Sequence, residues 1–308
     1  MSTALSIRKD LTMTFGDRHD GVIGVPGITH DGNVIEISYF FGDAKPKNII
    51  NISSQAGCPM SCSFCELGSE KFARNLSKEE IHDQAMLMLD EAALHGFTID
   101  NTPHKVTVAN TGEPLLNPAL VDGLELIGAV LPVSFKVSTI LPATSVATKT
   151  LTRLADFAAQ YHRPVQLQIS LISTSERQRQ ETAGARLADF QKVREAAELW
   201  RTKNPHGRKV NASLILTSDM VSDVDNVFAM LPPDLIRFRF REYVPTLHGK
   251  SHGLLRVTAP RLAEIKKRFE ERGYEVGDWA SPTPTEWKFG LAGNVIRRMY
   301  LDTLQRAR

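Results

Sequence analysis

Gly57-Cys58-Pro59-Met60-Ser61-Cys62-Ser63-Phe64-Cys65-Glu66-Leu67 holds all three cysteines of this 308-residue chain. Three residues separate the first two thiols and two separate the last pair. Thiolates are the usual holders of iron-sulfur clusters. Three on one short loop can each take an iron of a four-iron cluster and leave the fourth iron open to another ligand. Two rival readings stand beside this one. A structural zinc site needs a fourth ligand, and no Cys or His follows within the next few residues. A disulfide leaves an odd thiol and needs an oxidising compartment, of which the sequence carries no sign.

Residues 48–54 form a β-rich run that feeds directly into this loop. Beyond it, Ser77 with Glu80 makes a capping box and Leu76 with Ile81 a hydrophobic staple, so a helix starts at Ser77 and ends near Gly96. The same alternation continues to about Pro245. Strands are predicted at 105–110, 134–140, 165–171, 209–216 and 235–243, and helices around 119–130, 145–161, 189–203 and 224–230. This pattern predicts an α/β fold with a parallel sheet. Six such units are too few for a closed eight-fold barrel, so the expectation is a partial (β/α)6 barrel over 47–250. A small N-terminal β segment over 1–46, with runs at 11–15, 21–25 and 33–41, precedes it. A C-terminal extension over 251–308 is expected to cover the barrel mouth.

With 42% hydrophobic residues the chain can bury a large core. It has no apolar run of membrane-spanning length and no start resembling a signal peptide, so the expectation is a cytoplasmic protein without a membrane partner. A formal charge of +2 makes no whole-chain case for nucleic acid. The most basic segment carries Arg297, Arg298, Arg306 and Arg308. It reads first as the solvated face of a final helix and second as an RNA contact.

In barrels of this kind the strand ends and the loops after them carry the chemistry. The second strand runs into Thr111-Gly112-Glu113-Pro114, where glycine lets backbone approach a ligand and a carboxylate can hold an ammonium group. Strand side chains alternate faces, and one face is polar on strand after strand. It carries Lys136 and Ser138; Gln166, Gln168 and Ser170; Asn211 and Ser213; Arg237, Arg239 and Arg241. A purely structural parallel sheet is apolar on both faces, so this one is expected to line a wet lumen. The three arginines match the bidentate geometry of phosphate or carboxylate, which points to a small anionic substrate such as a nucleotide, bound with Lys136 and Gln168. The alternative is an open edge strand whose arginines lie in water or pair with acids. Glu242, Tyr243 and His248, with Lys250 and His252, lie at or beyond the mouth end of the sixth strand and are candidates for proton transfer or substrate contact. Trp279, Trp287 and Phe289 either stack on a base or pack the C-terminal segment.

The cysteine spacing, with Phe64 just before Cys65, resembles the signature of the radical S-adenosylmethionine (SAM) superfamily. Within it, residues 51–55 (Asn-Ile-Ser-Ser-Gln), Gly57, the three cysteines, Phe72, Arg74, Asn75, Leu76, the run from Gly112 to Asn117, Ser138-Thr139 and Ser170-Leu171 resemble the adenine-C2 methyltransferases of rRNA and tRNA. The resemblance implies a 4Fe-4S cluster on Cys58, Cys62 and Cys65, whose open iron chelates SAM and cleaves it to a 5'-deoxyadenosyl radical. It also implies an external one-electron donor such as flavodoxin or ferredoxin. Gly112 and Glu113 then meet the methionyl end of SAM, and Ser138, Ser170 and Leu171 its other polar groups. The chain departs from that family where a methyl-carrying cysteine and a resolving cysteine are needed, because Cys58, Cys62 and Cys65 exhaust its thiols; residues 290–294 read Gly-Leu-Ala-Gly-Asn. The expectation is therefore a radical SAM enzyme that does not transfer methyl groups through a methylcysteine. It would act on a small anionic molecule or, alternatively, on an RNA base, and a non-catalytic iron-sulfur or zinc protein is the remaining reading.

Overall fold

The computed structural model describes residues 5–10, 13–41, 48–96, 105–278, 288 and 295–306. The chain divides into two compact units, Met1–Cys58 with Glu70–Lys136 and Pro282–Arg308, and Pro59–Ser69 with Val137–Ser281.

The first unit opens with β1 (Ile7–Lys9), β2 (Val22–Thr29) and β3 (Val34–Phe40), which pair antiparallel in sequence. The first β run therefore lies earlier than the sequence suggests, and Phe15 makes only an isolated bridge to Gly24. β4 (Ile49–Ile52) continues antiparallel to β3, and the short strands β5 (Gln55–Ala56) and β6 (Arg74–Asn75) pair with each other across the cysteine loop. Helix α1 (Lys78–Leu94) starts where expected. Ser77 Oγ accepts the Glu80 amide and the Glu80 carboxylate accepts the Ser77 amide at 2.9 Å, while Leu76 and Ile81 are buried. The helix ends before Gly96, which sits at φ +74°. Its Ile81, Ala85, Met88 and Ala92 recur at helical spacing and are fully buried. Buried Gln84 extends β4 by one residue, accepting the Ser53 amide at 2.7 Å and donating to the Ser53 carbonyl at 3.0 Å. β7 (Lys105–Val108) is parallel to β4, the first parallel pair. Helix α2 (Leu120–Val130) buries Leu120, Leu124 and Ile127, and its Gly123 lets Ile81 of α1 approach closely.

Strand β8 (Ser134–Thr139) begins in the first unit and ends in the second. Then come α3 (Ser145–Gln160), β9 (Val165–Ile172), α4 (Glu176–Glu181), α5 (Phe190–Lys203), β10 (Val210–Leu216), α6 (Val224–Phe228) and β11 (Ile236–Glu242). The series closes with α7 (Leu247–Ser251), α8 (Ala259–Glu271) and β12 (Val276–Asp278). β9, β10, β11 and β12 are parallel neighbours. All six strands of the predicted βα series are present, within one to two residues at their ends. α4, α7, α8 and β12 are additional to it.

One face of these strands is apolar throughout. Leu167, Ile169, Ala212, Leu214, Ile236 and Phe238 are all fully buried. On β11 this face meets α8 through aromatic edges: Phe238 lies 4.6 Å from Phe269 and 4.8 Å from Tyr274 between ring centroids. Each such pair adds about 1 kcal/mol to the gain from area alone.

Helix α9 (Val295–Arg306) returns to the first unit and packs on β2 and β3, with Ile296 seated over Gly24. Arg297 donates to the Val34 carbonyl and pairs with Glu70, and Arg298 pairs with Asp302. Arg297 thus serves packing, while Arg298 pairs along the half-exposed face of the helix. Arg308, Trp279, Trp287, Phe289 and residues 290–294 lie outside the described residues. No helix among the described residues is long and apolar enough to cross a membrane.

Candidate functional site

The cysteine loop leaves β5 and returns on β6. Gly57 takes φ +73°, and a Cβ there would strike the Lys71 carbonyl oxygen, so the first residue of the loop has to be glycine. Cys62 is buried and Cys58 and Cys65 half-buried, and none forms a disulfide. Among the described residues no three His, Cys, Asp or Glu side chains converge on one point where a single ion would sit. A four-iron cube takes its cysteines on separate irons, so its donors need spread rather than convergence. Three thiols outside any disulfide on one short stretch are the donor chemistry such a cluster takes.

Within the second unit the segment after Pro59 is anchored firmly. The Ser63 amide donates to the Thr182 carbonyl, and the Gly184 amide to that of Met60. Buried Glu66 accepts the amides of Leu247 at 2.8 Å and His248 at 3.3 Å, and Thr246 Oγ1 donates to the Phe64 carbonyl. The His248 ring rests against Gly68 and is pushed below its ordinary pKa by burial and by His252. Tyr243 is buried, its phenol oxygen accepting the Thr246 amide and pressed against Gly249. Of the residues at the end of β11 and after it, His248 touches the cysteine segment and Tyr243 reaches it only through Thr246, whereas Lys250 and His252 are exposed and Glu242 is half-buried.

In the first unit the strand end after β7 forms a compact turn. Gly112 takes φ +108°, and a Cβ there would lie 2.6 Å from Gln55 Cβ and 2.8 Å from Ser54 Oγ. Ser54 Oγ is buried without a hydrogen-bond partner among the described residues. Buried Glu113 caps a 3-10 turn through the Leu115 amide, and its own amide donates to Gln55 Oε1 at 2.8 Å. On the far side of β6, Arg74 is bidentate to both Asp31 and Glu80, at 2.7–2.8 Å. Burial works against the Glu80 carboxylate, but Arg74 and the Ser77 amide outweigh it and lower its pKa. Gln55, Ser54 and Arg74 form this frame; in the sequence alone they stand out only within the resemblance to the adenine-C2 methyltransferases.

The polar face of the second unit is in register. Gln168 stands opposite Asn211, which stands opposite Arg237; the next row is Ser170, Ser213 and Arg239. Gln168 Nε2 reaches Ser138 Oγ at 3.4 Å, which adds β8 to the first row. Gln168 Oε1 and Ser213 Oγ are buried and lack hydrogen-bond partners among the described residues. A row of buried polar groups left unsatisfied is a demand for a ligand or ordered water. Leu171 is buried and its carbonyl accepts the Ser173 amide; Lys136 is half-buried. Arg237 is paired with Glu275 at 3.1 Å, the acid pairing of the alternative reading, but β11 is not an open edge, because β12 pairs with it; Arg239 and Arg241 are half-buried. Loss of water lowers the Arg241 guanidinium to about 10, which leaves it charged at neutral pH.

A sequence model of the Radical SAM superfamily matches residues 52–228. The chain is 26% identical over 235 residues to the probable dual-specificity RNA methyltransferase RlmN of Flavobacterium johnsoniae, covering 74% of this chain and 60% of that protein. It is 33% identical over 154 residues to the protein of the same name from Synechocystis, covering 47% and 41%. The chain thus spans about three fifths, or less, of the curated relatives it matches. Among solved structures it resembles a radical SAM methyltransferase from Sphaerobacter thermophilus, with a TM-score of 0.70 at 18% identity, over 89% of this chain and 77% of that one. That likeness is one of fold.

Proposed function

This chain belongs to the radical SAM superfamily, and from that premise we propose that it modifies a base of RNA without a protein-borne methyl carrier. The family's cofactors, SAM and a 4Fe-4S cluster, are those of this chain, and together they supply the radical chemistry. Cys58, Cys62 and Cys65 hold the cluster. Glu113 takes the ammonium group of SAM, with Gly112 letting backbone close in, and Ser138, Ser170 and the Leu171 backbone orient the rest. Lys136, Gln168, Arg239 and Arg241 face the substrate. Arg237, engaged with Glu275, contributes at the rim. Glu242, Tyr243 and His248 are the nearest groups after β11 for moving a proton. An external one-electron donor completes the system.

The observation that carries the reading is the pair of polar rows along β8 to β11, with Gln168 Oε1 and Ser213 Oγ buried and waiting for partners. The choice of RNA comes from the named relatives, RNA methyltransferases aligned over about three quarters of this chain at best. The absence of a methylcysteine route follows from the cysteine count: these 308 residues contain only the three of the motif. A second reading, a small phosphorylated substrate, is favoured by Arg239 and Arg241 on one strand face.

The test is anaerobic reconstitution followed by reduction, with 5'-deoxyadenosine measured alone, with unmodified ribosomal and transfer RNA transcripts, and with nucleoside phosphates. The expected result is stimulation by RNA, a mass-shifted nucleoside after digestion, and RNA binding that weakens steeply with salt. Turnover of a nucleoside phosphate with no response to RNA would overturn the RNA target in favour of the second reading. Failure to cleave SAM under any condition would overturn both.

A further inference from the structure

Gln55 is wholly buried and touches both parts of the first unit's cofactor frame. It lies on β5, three residues before Cys58, and pairs with Asn75 of β6, so it sits at the neck of the cysteine loop. Its side-chain Nε2 donates to Asn75 Oδ1 at 2.9 Å, and its Oε1 accepts the Glu113 amide at 2.8 Å. The orientation of this amide is dictated by its partners: a backbone N–H has to meet the oxygen, which turns the NH2 towards Asn75. The Gln55 amide donates to the Thr111 carbonyl at 3.1 Å, and Gln55 Cβ occupies the space a side chain at Gly112 would need. One residue therefore contacts three successive positions of the turn and the returning strand of the loop. Asn117 repeats the arrangement, donating to the Ser54 carbonyl at 2.7 Å and the Leu76 carbonyl at 2.9 Å. Arg74 holds the outer side of the same strand through Asp31 and Glu80.

We propose that Gln55 is a positioning residue: its amide fixes the backbone from which Glu113 projects and ties it to the neck of the cysteine loop, so that SAM meets a turn already set relative to Cys58. The proposal rests on the reading that Glu113 binds SAM. The Glu113 side chain leaves the Cα beside a backbone nitrogen whose hydrogen bond is to Gln55, and its carboxylate caps the Leu115 amide at 3.1 Å, so loss of the Gln55 bond loosens the backbone that aims the carboxylate. A glutamate at position 55 keeps an acceptor for the Glu113 amide, and Asn75 can rotate its NH2 to meet the second oxygen. A leucine of similar volume does neither, and leaves a buried N–H unpaired.

The experiment compares E113A, Q55L, Q55E and N75A with the unaltered chain, all reconstituted anaerobically. SAM affinity is read by equilibrium dialysis, cluster content by iron analysis, and cofactor approach by the SAM-induced change in the spectrum of the reduced cluster. E113A is expected to weaken SAM binding by at least about tenfold. Q55L should keep its iron, bind SAM about tenfold more weakly, and need correspondingly more SAM to change the spectrum. Q55E should stay within about threefold of the unaltered chain, and N75A should lose about threefold. Unaltered SAM affinity in Q55L, alongside a weakened E113A, would overturn the positioning role and leave Gln55 a packing residue. Unaltered affinity in E113A would overturn the reading of the turn, and the role with it. If Q55L does not fold, N75A decides, and unaltered affinity there overturns the proposal.

Discussion

Around the neck of the cysteine loop, Gln55 and Asn117 have both ends of their amides bonded, whereas along β9 and β10 the buried Gln168 Oε1 and Ser213 Oγ have no hydrogen-bond partner among the described residues. Both regions are polar and both are buried, so the difference is not one of environment. The neck completes its own hydrogen bonds and is rigid before any ligand arrives. The rows leave theirs open, and their cost is offset only when something polar fills the space. Ser54 Oγ is the exception within the neck, and it lies beside Gly112, where a ligand would approach. The chain thus separates polar groups that satisfy one another from polar groups left open to a ligand or water.

The contrast can be broken at either end. The largest effect is expected from C62A, which removes the best-buried of the three thiols proposed to hold the cluster; iron and sulfide analysis should find the cluster lost and 5'-deoxyadenosine formation abolished. Next comes G112A, which forces a Cβ against Gln55 at a φ that side chains rarely adopt. Urea unfolding of the apo-protein should reveal a loss of roughly 2–4 kcal/mol. R239A should weaken substrate binding about tenfold or more in direct titration while leaving substrate-free SAM cleavage intact; unchanged affinity would remove β11 from the site. S213A is the mildest and the sharpest test of the contrast. With no protein bond to lose, it should alter apo-protein stability by no more than about 0.5 kcal/mol, yet weaken SAM or substrate binding severalfold.

A pH effect should appear beside the neck, at Glu36, whose backbone bonds to Ser53, Asn110 and Thr111. Burial raises the Glu36 carboxyl to about 8, against the opposing pull of the Arg297 and Ile296 amides at the start of α9. Its proton is held more tightly in the folded chain than in the unfolded one, so its stabilising contribution is full below about pH 4.5 and is lost as pH rises through 8. The urea midpoint should fall across that window, and E36Q should flatten the fall.

Much of the fold was legible because strand alternation and capping are local. The Ser77–Glu80 box and all six strands of the series needed only short-range pattern. α4, with the sequence Glu-Arg-Gln-Arg-Gln-Glu, offers no apolar period to read, and β5 and β6 are two residues each, too short for any alternation. α8 did carry a signal, with Pro at its first turn and Ile265 and Phe269 four apart, beside the aromatic face of β11. The polar face was readable from period two alone, but its register was not: that Gln168, Asn211 and Arg237 form one row depends on how strands slide past each other. Gln55 stayed hidden for a related reason, since its meaning lies in a bond to position 113.

The pairing of β5 with β6 has a consequence for assembly. Residues 57–73 depart from and return to a single point held by backbone hydrogen bonds and by Arg74. The entropy of bringing those ends together is therefore spent when the first unit folds, and the interior is held by its own bonds to Thr182, Gly184 and residues 246–248, so a cluster would enter a ring already closed. Cluster loading of this chain becomes a local event, separable in time from folding of the strands around it.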